Sequence, residues 1–293
     1  MRRSHIATIG LWALAACSPA GGPDSPGHAG PLRVGVLPDQ SEEQLRLLYE
    51  PLLAYLEAAT DLDLELIVPD GYRELLDEFA AGRVQLAWFG GVTFVQAVQR
   101  SGAEPLVLRD VDLEFTSDFL VARHAGAESL EELAGCRFAF GPRLSTSGHL
   151  MPRYFLGERG IEPEEHFGEV RHSAGHDQTA RWVQDGAVHL AVVNSQVVES
   201  MLREGRLSPE RVRVLERTPP FRNYVWAVQA DLAPRLRGRL LNAFLALASD
   251  VPEQAAILES LGAQGFLPAS RQDYVELEAA ATQLGLAWGA PER

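Results

Sequence analysis

Two α/β lobes joined by a pair of crossing strands are the fold class this sequence predicts, and three observations carry it. Short apolar runs alternate with segments of helical spacing, the pattern of a sheet covered on both faces. That alternation occurs twice, over about 31–115 and 122–217, and a mainly helical final segment is free to rejoin the first half. Two linking stretches, Thr116 to Val121 and Thr218 to Asn223, stand where a hinge between the halves would be. With 293 residues, 46% of them hydrophobic, the chain has enough apolar surface for cores of this size.

Leu32 to Leu37 reads as the first strand, and its unbroken apolar character suits a parallel sheet. Leu45, Leu48, Tyr49, Leu52, Leu53 and Leu56 recur at helical spacing, with a kink expected at Pro51, and Leu62 to Val68 completes a βαβ unit. Asp70, Gly71 and Tyr72 open a second helix through Leu75, Leu76 and Phe79. Because that loop follows the carboxyl end of a strand, Tyr72 is read either as a pocket aromatic or as a core residue on the helix face. Val84 to Phe89 forms a third strand, after which Gly90 and Gly91 allow a helix to begin close to a ligand. Thr93 offers a donor there or caps the helix. Pro105 to Leu108 and Phe115 to Ala122 are strand-like, with a helix near 128–134.

From Cys136 the rhythm repeats: strand to Phe140, the turn GPRLSTSGHLMP, and a helix to Gly160 carrying Tyr154, Phe155 and Leu156. A strand near 167–171, a helix from Asp177 to Gln184 and the strand His189 to Val193 lead to Asn194, Ser195 and Gln196 at a further strand end. Val212 to Leu215 and Tyr224 to Val228 read as strands, and Leu232 to Leu247 and Gln272 to Leu284 as helices. The lobes are expected at 31–117 with 220–293, and at 118–219.

The turn at Ser145, Thr146, Ser147 and Gly148 concentrates the chemistry. Amides at a helix start have no internal partner, the peptide dipoles favour negative charge there, and hydroxyls rotate to suit an oxyanion. The plainer alternative is one capping hydroxyl and two turn hydroxyls. His176 begins a helix after Ser173, Ala174 and Gly175, either as a donor at that helix start or as a solvated residue. His149, His172 and His176 fall near one another without a metal-ligand spacing, so no metal is expected. Ser145 lacks the G-x-S-x-G elbow and has no general base at a recognised spacing, which argues against hydrolysis, and a chain without lysine cannot complete a GxxxxGK[ST] loop. The formal charge of -14 and the absence of a basic cluster argue against nucleic acid. A lone Cys136 on an apolar run leaves no internal disulfide once Cys17 is set apart.

Arg2 and Arg3, the apolar run Ile6 to Ala16 and then Leu14-Ala15-Ala16-Cys17 read as an export segment. The tetrad resembles the lipobox of bacterial lipoproteins, which implies a signal peptide over 1–16, lipidation at Cys17 and a Pro-, Gly- and Ser-rich tether over 17–30. Loss of Arg2 and Arg3 would take the formal charge from -14 to -16.

Further segments carry a wider resemblance: Tyr72-Arg73-Glu74-Leu75, Val84 through Gly90, Phe140-Gly141 with Ser145 through Gly148, Pro152-Arg153-Tyr154, Gly175-His176-Asp177, and Thr218-Pro219-Pro220 with Trp226-Ala227-Val228. From about 32 to 285 the chain resembles the substrate-binding proteins of phosphate, phosphite and phosphonate ABC importers. The resemblance implies a type II periplasmic-binding fold with an oxyanion held between the lobes, contacts from Ser145, Thr146 and Ser147, closure by Tyr72 and His176, and Gly91 and Thr93 alongside. It implies no cofactor, a monomer, and a permease partner in the membrane. Two departures bear on the ligand. Phe115 stands where phosphonate binders have a Tyr, and Gln196 and Tyr224 match positions where binders of aminoalkyl groups place carboxylates, with Glu199 near the first. Since a buried ammonium needs a paired carboxylate, a compact oxyanion is favoured. A sensing lipoprotein and, more distantly, an exported phosphoester hydrolase are the alternatives.

Overall fold

A computed structural model describes residues 30–284. The expected signal peptide, Cys17 and nearly all of the tether lie outside the described residues, as do residues 285–293.

The first half builds β1 (Leu32–Val36), α1 (Glu42–Thr60), β2 (Leu64–Ile67), α2 (Tyr72–Ala80), β3 (Leu86–Phe89), α3 (Gly91–Ser101) and β4 (Glu104–Arg109). Strands β1, β2 and β3 run parallel, with Leu32 opposite Leu64 and Val34 opposite Leu86. Pro51 sits inside α1 without ending it, on the solvent-exposed side where its missing N–H leaves a carbonyl to water. The second half builds β5 (Ser117–Ala122), β6 (Arg137–Phe140), α4 (Met151–Glu158), α5 (Pro163–His166), β7 (Glu169–His172), α6 (His176–Gln184), β8 (Leu190–Asn194), α7 (Ser195–Arg203) and β9 (Val212–Arg217). The helix expected near 128–134 is only a 3-10 turn, Glu131–Leu133, closed by Gly135 in a left-handed conformation. The chain then returns through β10 (Val225–Val228), α8 (Pro234–Leu245), α9 (Pro252–Ser260), β11 (Phe266–Pro268) and α10 (Val275–Gln283).

Two sheets result, ordered β11-β4-β10-β3-β1-β2 and β7-β6-β8-β5-β9. Both are mixed rather than parallel. β10 enters from the other sheet and runs antiparallel to β3 and β4, and β5 runs antiparallel to β8 and β9. Every residue of β3 and β10 is buried, as expected for central strands covered on both faces. Trp88, Trp226, Phe79 and Phe244 fill the first core, each buried ring worth roughly 1.5–3 kcal/mol. The second sheet buries Val193, Val197 and Met201 on one face and Phe138, Phe140 and Leu156 on the other.

The two passages between sheets run side by side. Phe115 and Phe221 exchange main-chain hydrogen bonds at 2.9 Å in each direction. One step on, Ser117 N–H donates to Thr218 Oγ1 and Thr218 N–H to the Ser117 carbonyl, both at 2.9 Å. Strand ends of both sheets therefore face one cleft.

Candidate anion-binding site

Four helix starts meet in that cleft. α2 begins at Tyr72, α3 at Gly91 and α6 at His176, while the turn Thr146–Leu150 runs with π-type bonding straight into α4. Gly71, Gly90 and Gly175 cap three of them and provide no side-chain oxygen, so first-turn amides turn to other acceptors, Val92 N–H to Thr146 Oγ1 and His176 N–H to the Asp39 carbonyl. The glycines also admit close packing. A Cβ on Gly91 would lie 2.6 Å from Leu277 Cδ1 and 3.5 Å from Thr146 Oγ1. The sheets are joined here by Val92 N–H donating to Thr146 Oγ1 at 2.9 Å.

Ser145 caps the turn, its Oγ accepting from Gly148 N–H at 2.9 Å. The same oxygen lies 3.1 Å from His176 Nε2. His176 Nδ1 accepts from Asn194 N–H at 3.2 Å, which places the ring proton of a neutral imidazole on Nε2. Burial holds this imidazole neutral, with its pKa lowered to about 4. Ser145 Oγ therefore accepts twice, and its own proton is left to point elsewhere. No base at a recognised spacing flanks Ser145 in the sequence, yet the fold brings His176 beside it.

Two further hydroxyls are buried without a partner, those of Tyr72 and Ser147. Tyr72 faces Ser145 outside hydrogen-bonding geometry, and burial keeps its phenol protonated by raising the pKa well above the ordinary value. The Ser147 carbonyl is held by Ser117 Oγ at 2.7 Å, which fixes the turn to the first crossing strand. All three of Ser145, Thr146 and Ser147 are buried. Of the two readings of Thr93, the hydroxyl engages the helix start, donating to the Gly90 carbonyl at 2.9 Å within the first turn of α3.

Phe115, Gln196 and Tyr224 do not join this cluster. They line an adjoining cavity of about 370 Å³ together with Asp39, Trp88 and Asn194. Phe115 packs against Phe221 and edge-on to Tyr224, at centroid distances of 6.0 and 5.5 Å. Gln196 is half-buried and reaches across the cleft, its Nε2 donating to the Gly262 carbonyl at 3.5 Å. The Tyr224 ring stacks on Trp88, and its hydroxyl donates to Asp39 Oδ2 at 2.6 Å while accepting from Asn194 Nδ2 at 3.0 Å. Asp39 also links to the first cluster through its carbonyl, which accepts from His176 N–H at 2.7 Å. Burial raises the Asp39 carboxyl to about 6, against the Tyr224 hydrogen bond and the positive charge of Arg109.

Two residues of the site, Asp39 and Asn223, escaped sequence reasoning, and Asn194 reads there only as part of a strand end, without a role. Asp39 follows the apolar strand β1, and Asn194 ends β8, so the rule that α/β sheets bind ligands beyond strand ends points to both. Asn223, buried and with neither amide atom partnered, has no such signal. His149, grouped with His176 by sequence proximity, faces another way: its Nδ1 pairs with the Arg143 carbonyl at 2.8 Å and its Nε2 accepts from Arg153 Nε at 3.1 Å.

Residues 34–274 match the family model described as ABC transporter, phosphonate, periplasmic substrate-binding protein. The chain belongs to this family. It is 30% identical over 259 residues to the probable ABC transporter phosphite binding protein PhnD1 of Prochlorococcus marinus, covering 84% of this chain and 87% of that protein. The structure of PhnD1 in complex with methylphosphonate superposes with a TM-score of 0.83 at 29% identity, over 87% of this chain and 98% of the other. The phosphate-import protein PhnD of Mycolicibacterium smegmatis is 25% identical, over 83% of this chain and 82% of its own. The fold is thus of the type II periplasmic-binding kind, and the protein is the substrate-binding component of an ABC transporter. Among the described residues no helix is long and apolar enough to cross a membrane.

Proposed function

We propose that this protein captures a compact phosphorus oxyanion, namely phosphate, phosphite or a small phosphonate, in the cleft where the four helix starts meet, and hands it to a membrane permease. The observation that carries the reading is the convergence of buried donors without acceptors: the Tyr72 and Ser147 hydroxyls, with the free proton of Ser145 beside them. An oxyanion supplies the missing acceptors, and helix dipoles favour its charge locally despite the acidity of the whole chain. Thr146 ties the turn to α3, which makes it a clasp between the sheets as well as a neighbour of the anion. The phosphite, phosphate and methylphosphonate named for the relatives support the ligand class.

No covalent step is part of this reading, although Ser145 and His176 resemble a nucleophile and its base. A base needs its free lone pair toward the serine, whereas Asn194 N–H occupies Nδ1 and turns the proton of Nε2 toward Ser145. A pKa lowered to about 4 also makes the imidazole a poor proton acceptor. The pair is built to donate.

Calorimetry of the full chain in detergent, freed of copurified ligand, against phosphate, phosphite, methylphosphonate and 2-aminoethylphosphonate tests the proposal. Tight binding of at least one of the first three is expected, and absence of binding to all four would refute it. Anchoring at Cys17 is part of the proposal: Cys17→Ser should move the chain from the membrane fraction to the soluble one, and unchanged fractionation would remove the anchor.

A further inference from the structure

Asn223 lies on the second passage between the sheets and is 1% exposed. Its main chain is fixed, with N–H donating to the Asp112 carbonyl at 3.2 Å, yet neither Oδ1 nor Nδ2 has a partner. The amide borders the cluster on the α3 side. A Cβ on Gly90 would lie 3.4 Å from Thr146 Oγ1 and 3.8 Å from Asn223 Oδ1, so the space beside this glycine is shared by the hydroxyl turn and the amide. The nearby charges are already engaged: Asp39 with the Tyr224 hydroxyl and Asp112 with Arg109.

The other groups of the cluster offer hydroxyl protons, from Tyr72, Ser145 and Ser147, while the Nε2 proton of His176 is held by Ser145 Oγ. Asn223 Oδ1 differs because it can only accept, and a buried acceptor left unpaired is costly. A ligand completing this amide would need an anionic oxygen for Nδ2 and a hydroxyl for Oδ1.

We propose that Asn223 contacts the headgroup and selects tetrahedral oxyanions that carry a proton, such as phosphate and phosphonate monoanions, over proton-free isosteres such as sulfate and alkylsulfonates. This rests on the capture of an oxyanion proposed above and adds the group that tells phosphorus from sulfur. Hydroxyls turn to donate or accept, so without a fixed acceptor the site would take both headgroups, which share shape and oxygen count.

Methylphosphonate and methanesulfonate form an isosteric pair for the test, titrated into the full chain by calorimetry in mildly acidic buffer where the phosphonate keeps one P–OH. The native chain should bind methylphosphonate about tenfold or more tightly than methanesulfonate. Asn223→Leu, which fills the space without polar atoms, should weaken methylphosphonate about tenfold while changing methanesulfonate less than about threefold. Asn223→Asp, an acceptor without a donor, should keep methylphosphonate and lose methanesulfonate. Unfolding of both variants without ligand checks that they fold, and should Asn223→Leu fail to do so, the selectivity of Asn223→Asp decides. Equal affinity of the native chain for the two anions, or the native ratio persisting in the folded variants, overturns the proposal while leaving anion capture intact. A native chain that takes neither methylphosphonate nor phosphate overturns the capture itself.

Discussion

Replacing Asp39 by asparagine should make the protein more stable at neutral pH, by an amount that grows as pH rises through about 6 and then levels off. Asp39 is buried at the end of β1, and its carboxyl is raised from an ordinary 3.8 to about 6 chiefly by desolvation. A raised carboxyl means that the folded state prefers the protonated form, so the unfolded chain gives up its proton first. Stability is therefore full below the unfolded value and lost as pH climbs from near 3.8 through about 6. At about 1.36 kcal/mol per pH unit, the complete cost is about 3 kcal/mol, carried by the native protein above that window. The carboxamide oxygen of the variant would still accept from the Tyr224 hydroxyl, so that contact survives the substitution. Urea unfolding of the native and variant proteins without ligand, from about pH 4.5 to about pH 8, would read the difference, and the stability gap should widen by about 2 kcal/mol in favour of the variant. The other buried titrating groups, including His176 and Asp112, are common to both proteins and largely cancel. A gap that stays constant with pH, or that favours the native protein at pH 8, would refute this account of Asp39.

Ser147→Ala should leave stability within about 0.5 kcal/mol, because the hydroxyl has no partner to lose, while weakening oxyanion binding by about 1.5–3 kcal/mol; parallel unfolding and calorimetry separate the two effects. Gly148→Ala would bring a Cβ to 2.9 Å from Gly141 Cα and 2.8 Å from His176 Cε1, so a loss of about 1–3 kcal/mol in unfolding free energy and collapse of binding are expected. For His176, nitrogen chemical shifts should report a neutral ring with the proton on Nε2 from about pH 8 down to about pH 5.5, and protonation near the ordinary 6.5 would contradict the burial described.

What the sequence determined by itself is what local pattern and local chemistry specify. Apolar runs and helical spacing located β1, α1, β3, α6 and β8 to within a few residues, because strand and helix periods are written along the chain. The hydroxyl turn stood out for a local reason as well: consecutive donors before a helix announce a helix start wherever the chain carries them. Tertiary structure decided the rest, because it depends on which distant segments meet. Return of the chain through β10 against the direction of β3 made a mixed sheet where apolar strands alone suggested a parallel one. Thr93 and Gln196 have the chemistry of ligand contacts, and only the fold shows that each also has a main-chain acceptor within reach, the Gly90 and Gly262 carbonyls. The tautomer of His176 was set by Asn194, the charge of Asp39 by burial beside Tyr224, and the Asn223 amide was buried without a partner beside Gly90. Each is a property of a pair or of an environment, and no single stretch of sequence encodes either.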